Sequence, residues 1–314
     1  MSTIVLFEDI WGDPLAELAE QHSVIRTPGT ALPQDVPAAA VEAIVVRNRT
    51  QVDQALLAAL PSLKIVARAG VGLDNIDLAA CDARRVVVMS PRGANATSVA
   101  EHAVALALAI SKRLIGNDAS VRRGDWDRRP VAELSGGTWG VVGAGATGLA
   151  TARLAQGLGM TTIAYDPYAD PAVLAANGLA AASLEQVAAE SAVVSVHLPA
   201  TPETTGLIGD GFFARATPGL IVVNVGRGEV VDESALQRAL LSGRVRGAGL
   251  DVRVNEPPGP SELDDLSEVV YSPHVAGITT QAQQRIMAAM ASDVAKVLGG
   301  AAADHAVGAY RVAA

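Results

Sequence analysis

Short apolar runs rich in Val, Ile and Leu recur along the chain, between longer stretches whose apolar residues have helical spacing. This alternation predicts β-strands joined by helices, the pattern of a doubly wound parallel sheet. In the first hundred residues the predicted strands are 4–7, 24–26, 43–47, 64–67 and 86–89, and the predicted helices are 53–60 and 77–84. The alternation starts again later, with predicted strands 138–142, 161–165, 192–197, 220–224, 245–251 and 269–272. The sequence therefore predicts an α/β fold with two such sheets.

The segment 98–112 separates the two regions of alternation and is rich in Ala and Leu. Because it is apolar on most of its circumference, it predicts a long buried helix. Such a helix can join two domains or lie at an interface between subunits. A polar loop rich in Arg and Asp is predicted at 122–129, and the last predicted helix is 279–298.

Composition narrows the function classes. The 314 residues suffice for two domains of about 150 residues, and the 50% hydrophobic content excludes an intrinsically disordered chain. A net charge of -9 disfavours binding to nucleic acid or to an anionic membrane surface. The chain has one cysteine, Cys81, and no Cys/His cluster with the spacing of metal ligands. With no basic leader and no apolar run long enough to span a membrane, we expect a cytoplasmic protein without a metal site.

A glycine-rich motif follows the predicted strand 138–142 and precedes an Ala-rich helical stretch. The spacing of Gly143, Gly145 and Gly148 is that of a dinucleotide-binding turn, in which these glycines allow a tight turn, admit a pyrophosphate and let helix and strand pack closely. Asp166 lies 21 residues after Gly145, where its carboxylate can accept hydrogen bonds from both ribose hydroxyls of NAD. The same charge would repel the 2′-phosphate of NADP. The alternative is a glycine turn of another α/β protein with a chance aspartate.

Three polar residues, Arg227, Glu256 and His274, each lie just after a predicted strand of the C-terminal half. The carboxyl ends of parallel strands form the ligand crevice of an open sheet, so these side chains can converge there. Oxidation of a hydroxy acid needs a base for the hydroxyl proton, and His suits that role near neutral pH. A neighbouring carboxylate would favour the imidazolium, and an arginine could bind the substrate carboxylate. Taken singly, each residue also fits an ordinary role as a surface charge, a turn residue before Pro257 or a structural histidine.

Ordered motifs run through nearly the whole chain and resemble those of the D-isomer-specific 2-hydroxyacid dehydrogenases, in particular the phosphoglycerate dehydrogenase branch. They lie at 46–47, 68–77, 98–102, 143–148, 165–167, 197–208, 224–232, 250–252, 256–257 and 273–277. The resemblance implies two Rossmann-like doubly wound parallel-sheet domains. The NAD-binding domain, residues 99–281, would be inserted into a substrate-binding domain made of residues 1–98 and 282–314. The resemblance also implies a homodimer formed largely through the nucleotide domain, and a short form without a C-terminal regulatory domain.

The resemblance implies roles for individual residues as well. Arg227 would bind and orient the substrate's carboxylate and oxo group, His274 would be the acid/base, and Glu256 would tune His274. Asp251 would contact the nicotinamide amide. The other residues implied in cofactor binding, beside the three glycines and Asp166, are Asn95, Ala146, Thr147, Tyr165, Pro167, His197, Leu198, Pro199, Thr204, Val225, Gly226 and Gly277.

The chain departs from the family pattern at three places. Pro91 and Asn95 are separated by three residues where the family commonly has two, so the loop beside the substrate is expected to differ. Ala146 and Thr147 replace the usual Arg-Ile, which removes a pyrophosphate contact and predicts weaker cofactor binding. Gly226 stands where Ala is common, a small change.

Four arginines, Arg47, Arg49, Arg68 and Arg92, lie at or just after predicted strand ends of the N-terminal domain, and the resemblance places Arg47 and Arg68 beside the substrate. Arginine binds an oxyanion through two parallel N–H groups, so these residues suit a substrate with a second anionic group. The alternative is that Arg49 and Arg92 are solvated and that Arg68 pairs with a structural carboxylate such as Asp74. In either case the substrate carboxylate can be bound by the backbone N–H groups of Gly70, Val71 and Gly72.

These observations predict an NAD-dependent enzyme that transfers a hydride between nicotinamide and C2 of a small D-2-hydroxy or 2-oxo acid. The leading substrates are 3-phosphoglycerate and phosphono- or sulfolactate, and reduction of glyoxylate or hydroxypyruvate is the alternative. NAD-sensing transcriptional corepressors share the implied fold and act by docking other proteins, and a turnover assay separates that class from an enzyme. Formate dehydrogenases of this fold carry Gln where Glu256 stands, which argues against formate as the substrate.

Overall fold

The structure is a computed structural model that describes residues 1–8, 10 and 16–310. Its strands are β1 (Thr3–Phe7), β2 (Ser23–Thr27), β3 (Val41–Val46), β4 (Ile65–Arg68), β5 (Val87–Met89), β6 (Thr138–Val142), β7 (Thr161–Tyr165), β8 (Ala180–Ala181), β9 (Val193–Val196), β10 (Leu220–Asn224), β11 (Val245–Leu250), β12 (Val269–Tyr271) and β13 (Ala306–Val307). Its α-helices are α1 (Ala16–Ala19), α2 (Gln54–Ala59), α3 (Leu78–Ala83), α4 (Ala96–Ser111), α5 (Leu114–Arg122), α6 (Ala146–Gly157), α7 (Pro171–Ala176), α8 (Leu184–Glu190), α9 (Asp210–Arg215), α10 (Glu233–Leu241) and α11 (Thr280–Leu298).

The chain divides into two compact units. The first consists of Met1–Asn95 and Thr279–Ala314, and the second is Ala96–Ile278. Each division lies three residues before the predicted boundary, at 95/96 instead of 98/99 and at 278/279 instead of 281/282. The helices explain both positions, because α4 begins at residue 96 and packs on α6, whereas Thr279 caps α11, which packs on β4.

The first unit is built on a six-stranded sheet with the order β13-β5-β4-β3-β1-β2. Its strands are parallel except β13, which runs antiparallel to β5. Side chains of β1 alternate between two buried clusters, with Val5 and Phe7 in one and Ile4 and Leu6 in the other. Because both faces are covered, the strands read as continuous apolar runs, which is the signal that predicted them.

The strand β13 was absent from the sequence prediction. Its pairing depends on Asp293 of α11, whose carboxylate is fully buried and accepts hydrogen bonds from the backbone N–H groups of Asp304 (3.0 Å) and His305 (2.9 Å). These bonds turn the chain back after α11, so that residues 306–307 reach the edge of the sheet. A two-residue strand fixed by a distant side chain leaves no periodic signal in the sequence.

The second unit contains a seven-stranded parallel sheet with the order β12-β11-β10-β9-β6-β7-β8. The strand order reverses between β6 and β9, since the chain continues outward from β6 through β7 and from β9 through β10. In a doubly wound sheet a ligand crevice forms at such a reversal, beyond the carboxyl ends of the two strands. The loops after β6 and β9 therefore mark the place for a cofactor in this unit.

The segment predicted as a long buried helix is α4, and it is a core helix of the second unit. Its residues Leu106 and Ile110 cover the strand β11 at two glycines. A Cβ atom on Gly249 would lie 2.8 Å from Leu106, and one on Gly247 would lie 2.5 Å from Ile110. The glycines thus let the helix approach the sheet closely.

The predicted fold class, two parallel-sheet α/β domains, is confirmed. The polar loop predicted at 122–129 is preceded by α5, an additional short helix. In the part of the chain that the structure describes, every helix is too short or too polar to cross a membrane.

Candidate active site

The glycine motif forms the turn between β6 and α6. Gly143 has a φ of 95°, which favours glycine, and a Cβ atom on Gly148 would lie only 2.1 Å from the carbonyl oxygen of Gly143. By contrast, a Cβ on Gly145, the N-cap of α6, would meet nothing within 4 Å. Two of the glycines are therefore required by the protein's own packing, and the third faces open space at a helix N-terminus, where a pyrophosphate fits.

Asp166 follows β7 and is fixed on both sides. Its Oδ2 accepts a hydrogen bond from the backbone N–H of Ala144 (2.9 Å), and its Oδ1 accepts one from that of Tyr168 (2.9 Å). The carboxylate is half-buried and keeps acceptor capacity beyond these two bonds. It therefore lies directly beside the glycine turn, where the ribose of a dinucleotide bound there would meet it. Tyr165 ends β7, and Pro167 is exposed in the following turn.

The loop after β9 packs against the glycine turn and against the loop after β10. A Cβ atom on Gly143 would lie 2.9 Å from the Leu198 side chain, and one on Gly226 would lie 2.7 Å from the Leu198 carbonyl oxygen. The same loop holds Pro199 and Thr204, whose Oγ1 donates a hydrogen bond to the Pro199 carbonyl (2.7 Å). Three predicted cofactor segments thus meet at the crevice between β6 and β9.

His197 lies at this crevice and has one ring nitrogen without a hydrogen-bond partner among the described residues. Its Nε2 lies 2.9 Å from Oγ of Ser195, which also accepts a hydrogen bond from Trp139 (2.8 Å). Nδ1 is buried and has no hydrogen-bond partner among the described residues. Burial lowers the pKa of His197 to about 3, so the ring is neutral. An uncharged, unsatisfied ring nitrogen beside the glycine turn fits a polar group of a bound dinucleotide.

His274 and Glu256 form a hydrogen-bonded pair. Nδ1 of His274 lies 2.6 Å from Oε2 of Glu256, and Oε1 of Glu256 accepts the backbone N–H of Arg253 (3.1 Å). Burial raises the pKa of Glu256, but the hydrogen bond and charge of His274, the Arg253 N–H and the positive charge of Arg227 outweigh burial and lower it. The structure therefore brings the three predicted residues together, with an ionised Glu256 hydrogen-bonded to His274 and within reach of the charge of Arg227.

The segment around His274 is tied to Asp251. His274 has a φ of 54°, a left-handed conformation that non-glycine residues rarely adopt. The carboxylate of Asp251 accepts hydrogen bonds from the N–H groups of Val275 (2.9 Å) and Ala276 (2.9 Å) and from the hydroxyl of Ser272 (2.6 Å). Asp251, predicted from the resemblance to contact nicotinamide, is thus also an anchor of the histidine segment. Gly277 lies in the turn that follows.

Two residues that sequence reasoning missed complete this anchor. Nε2 of His102, on α4, lies 2.7 Å from Oγ of Ser272 and holds that hydroxyl against Asp251. Arg253 forms two hydrogen bonds to Glu233 (2.8 Å each) and lies over the ring of Tyr271, 5.0 Å from its centre. His102 belongs to the motif at 98–102 and Arg253 follows the motif at 250–252, but neither motif indicated these contacts, because each residue acts on a segment distant in the sequence.

Arg227 lies in the loop after β10, which Asn224 closes. Asn224 donates a hydrogen bond to the Arg227 carbonyl (2.9 Å) and accepts one from the Gly226 N–H (3.1 Å). A Cβ atom on Gly228 would lie 2.0 Å from the backbone of Arg253, so only glycine lets this loop pack against the segment that carries Glu256. Val225 and Gly226 are buried in the same loop.

The remaining predicted residues belong to the first unit. Arg68 ends β4 and is buried, and it donates hydrogen bonds to the Gly72 carbonyl (2.8 Å) and to Oδ1 of Asn48 (2.6 Å). A Cβ atom on Gly70 would lie 2.6 Å from the Arg68 guanidinium, so Gly70 leaves room for that side chain. The Val71 carbonyl accepts the Ser90 hydroxyl (2.9 Å).

The loop between Pro91 and Asn95 is one residue longer than is common in the family. Gly93 adopts a φ of 83°, and the Ala94 N–H donates to the Pro91 carbonyl (3.0 Å), so the loop is a tight turn. Arg92 is exposed on it. Oδ1 of Asn95 is buried and without a hydrogen-bond partner among the described residues.

Among the residues that the structure describes, no group of three or more His, Cys, Asp or Glu side chains could hold a metal ion.

Most of the second unit matches a known protein family. Residues 104–276 match the family model described as "D-isomer specific 2-hydroxyacid dehydrogenase, NAD binding domain". The chain is 46% identical over 261 residues to D-3-phosphoglycerate dehydrogenase of Mycobacterium tuberculosis. The aligned region covers 82% of this chain and 49% of that protein. The chain thus spans about half the length of the curated relative. The cofactor of the matched domain is NAD.

Two solved structures share the fold over nearly the whole chain. A glyoxylate reductase from Paecilomyes thermophila superimposes with a TM-score of 0.87 at 26% identity, covering 96% of both chains. D-lactate dehydrogenase from Aquifex aeolicus, solved with NAD and lactic acid, superimposes with a TM-score of 0.82 at 28% identity. It covers 94% of this chain and 96% of the Aquifex chain.

The position of Asp166 predicts a preference for NAD(H) over NADP(H), because no Arg or Lys stands in 165–170 to receive a 2′-phosphate. Replacing Asp166 with Ala removes both an acceptor for the ribose and a repulsive charge, so the preference should narrow, mainly through weaker NAD binding. Dissociation constants of both cofactors, measured for wild type and Asp166→Ala, test this. Equal wild-type affinity for the two cofactors would contradict it.

Proposed function

The chain belongs to the family of D-isomer specific 2-hydroxyacid dehydrogenases, and we propose that it transfers a hydride between NAD and C2 of a small D-2-hydroxy or 2-oxo acid. The observation that carries this proposal is the cluster of Arg227, Glu256 and His274 in the NAD-binding unit. It combines a proton donor or acceptor with a cation for the substrate's carboxylate.

His274 is the proposed acid/base. Because Nδ1 is engaged by Glu256, Nε2 is the ring nitrogen left to exchange a proton with the substrate oxygen. In oxidation neutral His274 takes the hydroxyl proton, and in reduction the imidazolium returns it. Glu256 stabilises the charged ring, and Arg227 binds the carboxylate and polarises the neighbouring carbonyl. Bound NAD supplies the hydride acceptor, and NADH the donor.

The substrate that we favour has a second anionic group, as in 3-phosphoglycerate or a phosphono- or sulfolactate. Arg47 and Arg68 lie at the carboxyl ends of neighbouring strands, β3 and β4, and Arg68 is held by hydrogen bonds to the two loops beside it. The name of the curated relative, D-3-phosphoglycerate dehydrogenase, supports the same substrate class. Glyoxylate or hydroxypyruvate is the second candidate, supported by the likeness to a glyoxylate reductase.

We also propose a homodimer formed through the second unit. Apolar side chains are exposed on α5 and on the loop after it, including Leu114 (59% exposed), Ile115 (58%) and Trp126 (76%). Isolated exposed apolar residues are ordinary, but several within one short stretch of the sequence suit a subunit interface. We place the dimer in the cytoplasm, whose reducing conditions suit the lone buried thiol of Cys81.

The acid/base role predicts opposite pH dependence in the two directions. Reduction needs protonated His274, so kcat/KM for reduction should fall as pH rises. Oxidation needs neutral His274, so kcat/KM for oxidation should increase as pH rises. His274→Ala should lower kcat/KM about 10²-fold or more. Glu256→Gln should shift the fall in the reduction profile to lower pH, because it removes the charge that stabilises the imidazolium. A near-wild-type rate for His274→Ala, with NAD binding intact, would show that another residue exchanges the proton.

The second-anion proposal predicts discrimination between two substrates that differ by one phosphate. The kcat/KM for 3-phosphohydroxypyruvate should exceed that for hydroxypyruvate by on the order of 10²-fold, since charge-assisted hydrogen bonds contribute about 1.5–3 kcal/mol each. Arg47→Ala and Arg68→Ala should reduce this ratio, whereas Arg227→Ala should slow both substrates alike. If the first two variants also slow both substrates alike, these arginines are structural or bind the carboxylate that both substrates share, and the smaller oxo acids become the better candidates.

The dimer proposal predicts a solution mass of two chains by light scattering. Trp126→Asp combined with Ile115→Asp should give a mass of one chain, because it places charges on the proposed interface. Leu241→Asp, at a residue 68% exposed at the end of α10, is the matched control and should stay dimeric. A monomeric wild type, or a dimer that survives the paired substitution, would exclude this surface.

A further inference from the structure

Glu8, a residue outside every motif of the sequence, has a buried side chain in the first unit. It follows β1, is 7% exposed and adopts a φ of 66°, a conformation that non-glycine residues rarely adopt. A buried carboxylate is unfavourable unless hydrogen bonds and charges compensate it. The groups that compensate the buried charge of Glu8 therefore indicate its structural role.

Among the described residues, the partners of the Glu8 carboxylate lie in one loop, residues 47–50, which follows β3. Oε1 of Glu8 accepts the backbone N–H groups of Arg47 (3.0 Å) and Thr50 (3.0 Å) and the Thr50 hydroxyl (2.8 Å). Oε2 accepts the N–H of Arg49 (3.1 Å), whose guanidinium lies 3.6 Å away. N–H groups of neighbouring residues that converge on one point form an anion-binding nest, and here the anion is the protein's own carboxylate.

The carbonyl side of the same loop is fixed by Asn75. Its buried amide nitrogen donates hydrogen bonds to the carbonyls of Arg47 (2.8 Å) and Thr50 (2.6 Å). Glu8 and Asn75 thus engage complementary groups of the loop from two directions. The backbone that carries Arg47 has little freedom to move as long as both side chains are in place.

The loop in turn holds Arg68. The Asn48 side chain, between the residues that Glu8 binds, accepts a hydrogen bond from the Arg68 guanidinium (2.6 Å), which also donates to the Gly72 carbonyl (2.8 Å). A chain of hydrogen bonds therefore runs from Glu8 through residues 47–50 to Arg68 and the loop 70–72. It connects the carboxyl ends of β1, β3 and β4.

We propose that Glu8 is a positioning residue for substrate selection, which sets the places of Arg47 and Arg68 through the loop 47–50. This inference rests on the proposed function, in which the two arginines bind the second anion of the substrate. In this role Glu8 acts through the arginines and not by contact with substrate or cofactor. Its effect is on how well the arginines distinguish a substrate that carries phosphate from one that lacks it.

The ionisation of Glu8 agrees with this role. Burial raises the pKa of the carboxyl, but the hydrogen bonds from Thr50, Arg49 and Arg47 outweigh burial and lower it below its usual value. Glu8 is therefore charged in the folded protein at neutral pH. A lowered pKa stabilises the fold above the unfolded-state pKa, and this contribution is lost as pH falls through the folded-state value.

The test is the substitution Glu8→Gln, which keeps the size of the side chain but replaces an acceptor oxygen with an NH2 group that faces backbone N–H groups. We expect the ratio of kcat/KM for 3-phosphohydroxypyruvate over hydroxypyruvate to fall about 10-fold, the loss of roughly one charge-assisted hydrogen bond. Glu42→Gln is the matched control, because it removes a carboxylate at the other end of β3 that pairs with Lys64. It should leave the ratio unchanged.

A double-mutant cycle separates positioning from a general loss of structure. In a chain that already carries Arg47→Ala and Arg68→Ala, Glu8→Gln should leave the ratio unchanged, because the residues through which it acts are gone. Thr50→Val removes one of the bonds to Glu8 and should lower the ratio in the same direction by a smaller factor. If Glu8→Gln does not fold, Thr50→Val tests the positioning role of Glu8 in its place.

The outcomes distinguish this inference from the function on which it rests. If the arginine variants lower the ratio but Glu8→Gln and Thr50→Val leave it unchanged, the positioning role is wrong and the second-anion function stands. If Glu8→Gln lowers the ratio equally with and without the arginines, its effect does not pass through them. If the arginine variants themselves leave the ratio unchanged, the second-anion function fails.

Discussion

The carboxylate of Asp251 holds the segment 272–276, and the geometry of the candidate active site depends on it. The side chain is buried and accepts two backbone N–H groups and the Ser272 hydroxyl, while the Asp251 carbonyl accepts the N–H of His274 (2.8 Å). A left-handed conformation at His274 is unfavourable by itself and persists only where the surroundings determine it. With the backbone fixed, Nδ1 of His274 meets Glu256 at 2.6 Å. The orientation of the proposed acid/base thus depends on the Asp251 carboxylate, which holds the backbone of the same segment.

In both units the candidate site residues lie in loops at the carboxyl ends of parallel strands. In the second unit the loops after β6, β9 and β10 pack so closely that Gly143, Gly148, Gly226 and Gly228 have no room for a side chain. In the first unit the loops after β3 and β4 are joined through Asn48 and Arg68. Each unit holds the loops that carry its candidate site residues with a buried carboxylate, Asp251 in the second unit and Glu8 in the first. Loops held in this way can present polar side chains without moving.

Features that depend on local sequence could be predicted. The glycine turn followed from the conformational needs of Gly143 and Gly148, and Asp166 followed from its place after the next strand. The convergence of Glu256 and His274 followed from the rule that parallel strands end at one edge of the sheet. The interactions that fix these residues could not be predicted, because they join distant segments: Glu8 binds residues 39 to 42 positions away. The strand β13 was missed for the same reason, since its pairing relies on Asp293.

The proposed function is that this chain reduces a 2-oxo acid with NADH by direct hydride transfer and forms the D-isomer. The most direct test uses the purified protein, NADH labelled with deuterium at nicotinamide C4 on one face or the other, and 2-oxo acids with and without a second anion. The product is analysed for its deuterium content at C2 and for its chirality. We expect that one of the two labelled cofactors gives the D-2-hydroxy acid with deuterium at C2. An absence of turnover with every 2-oxo acid, an L-isomer, or a product without deuterium from either cofactor would contradict it.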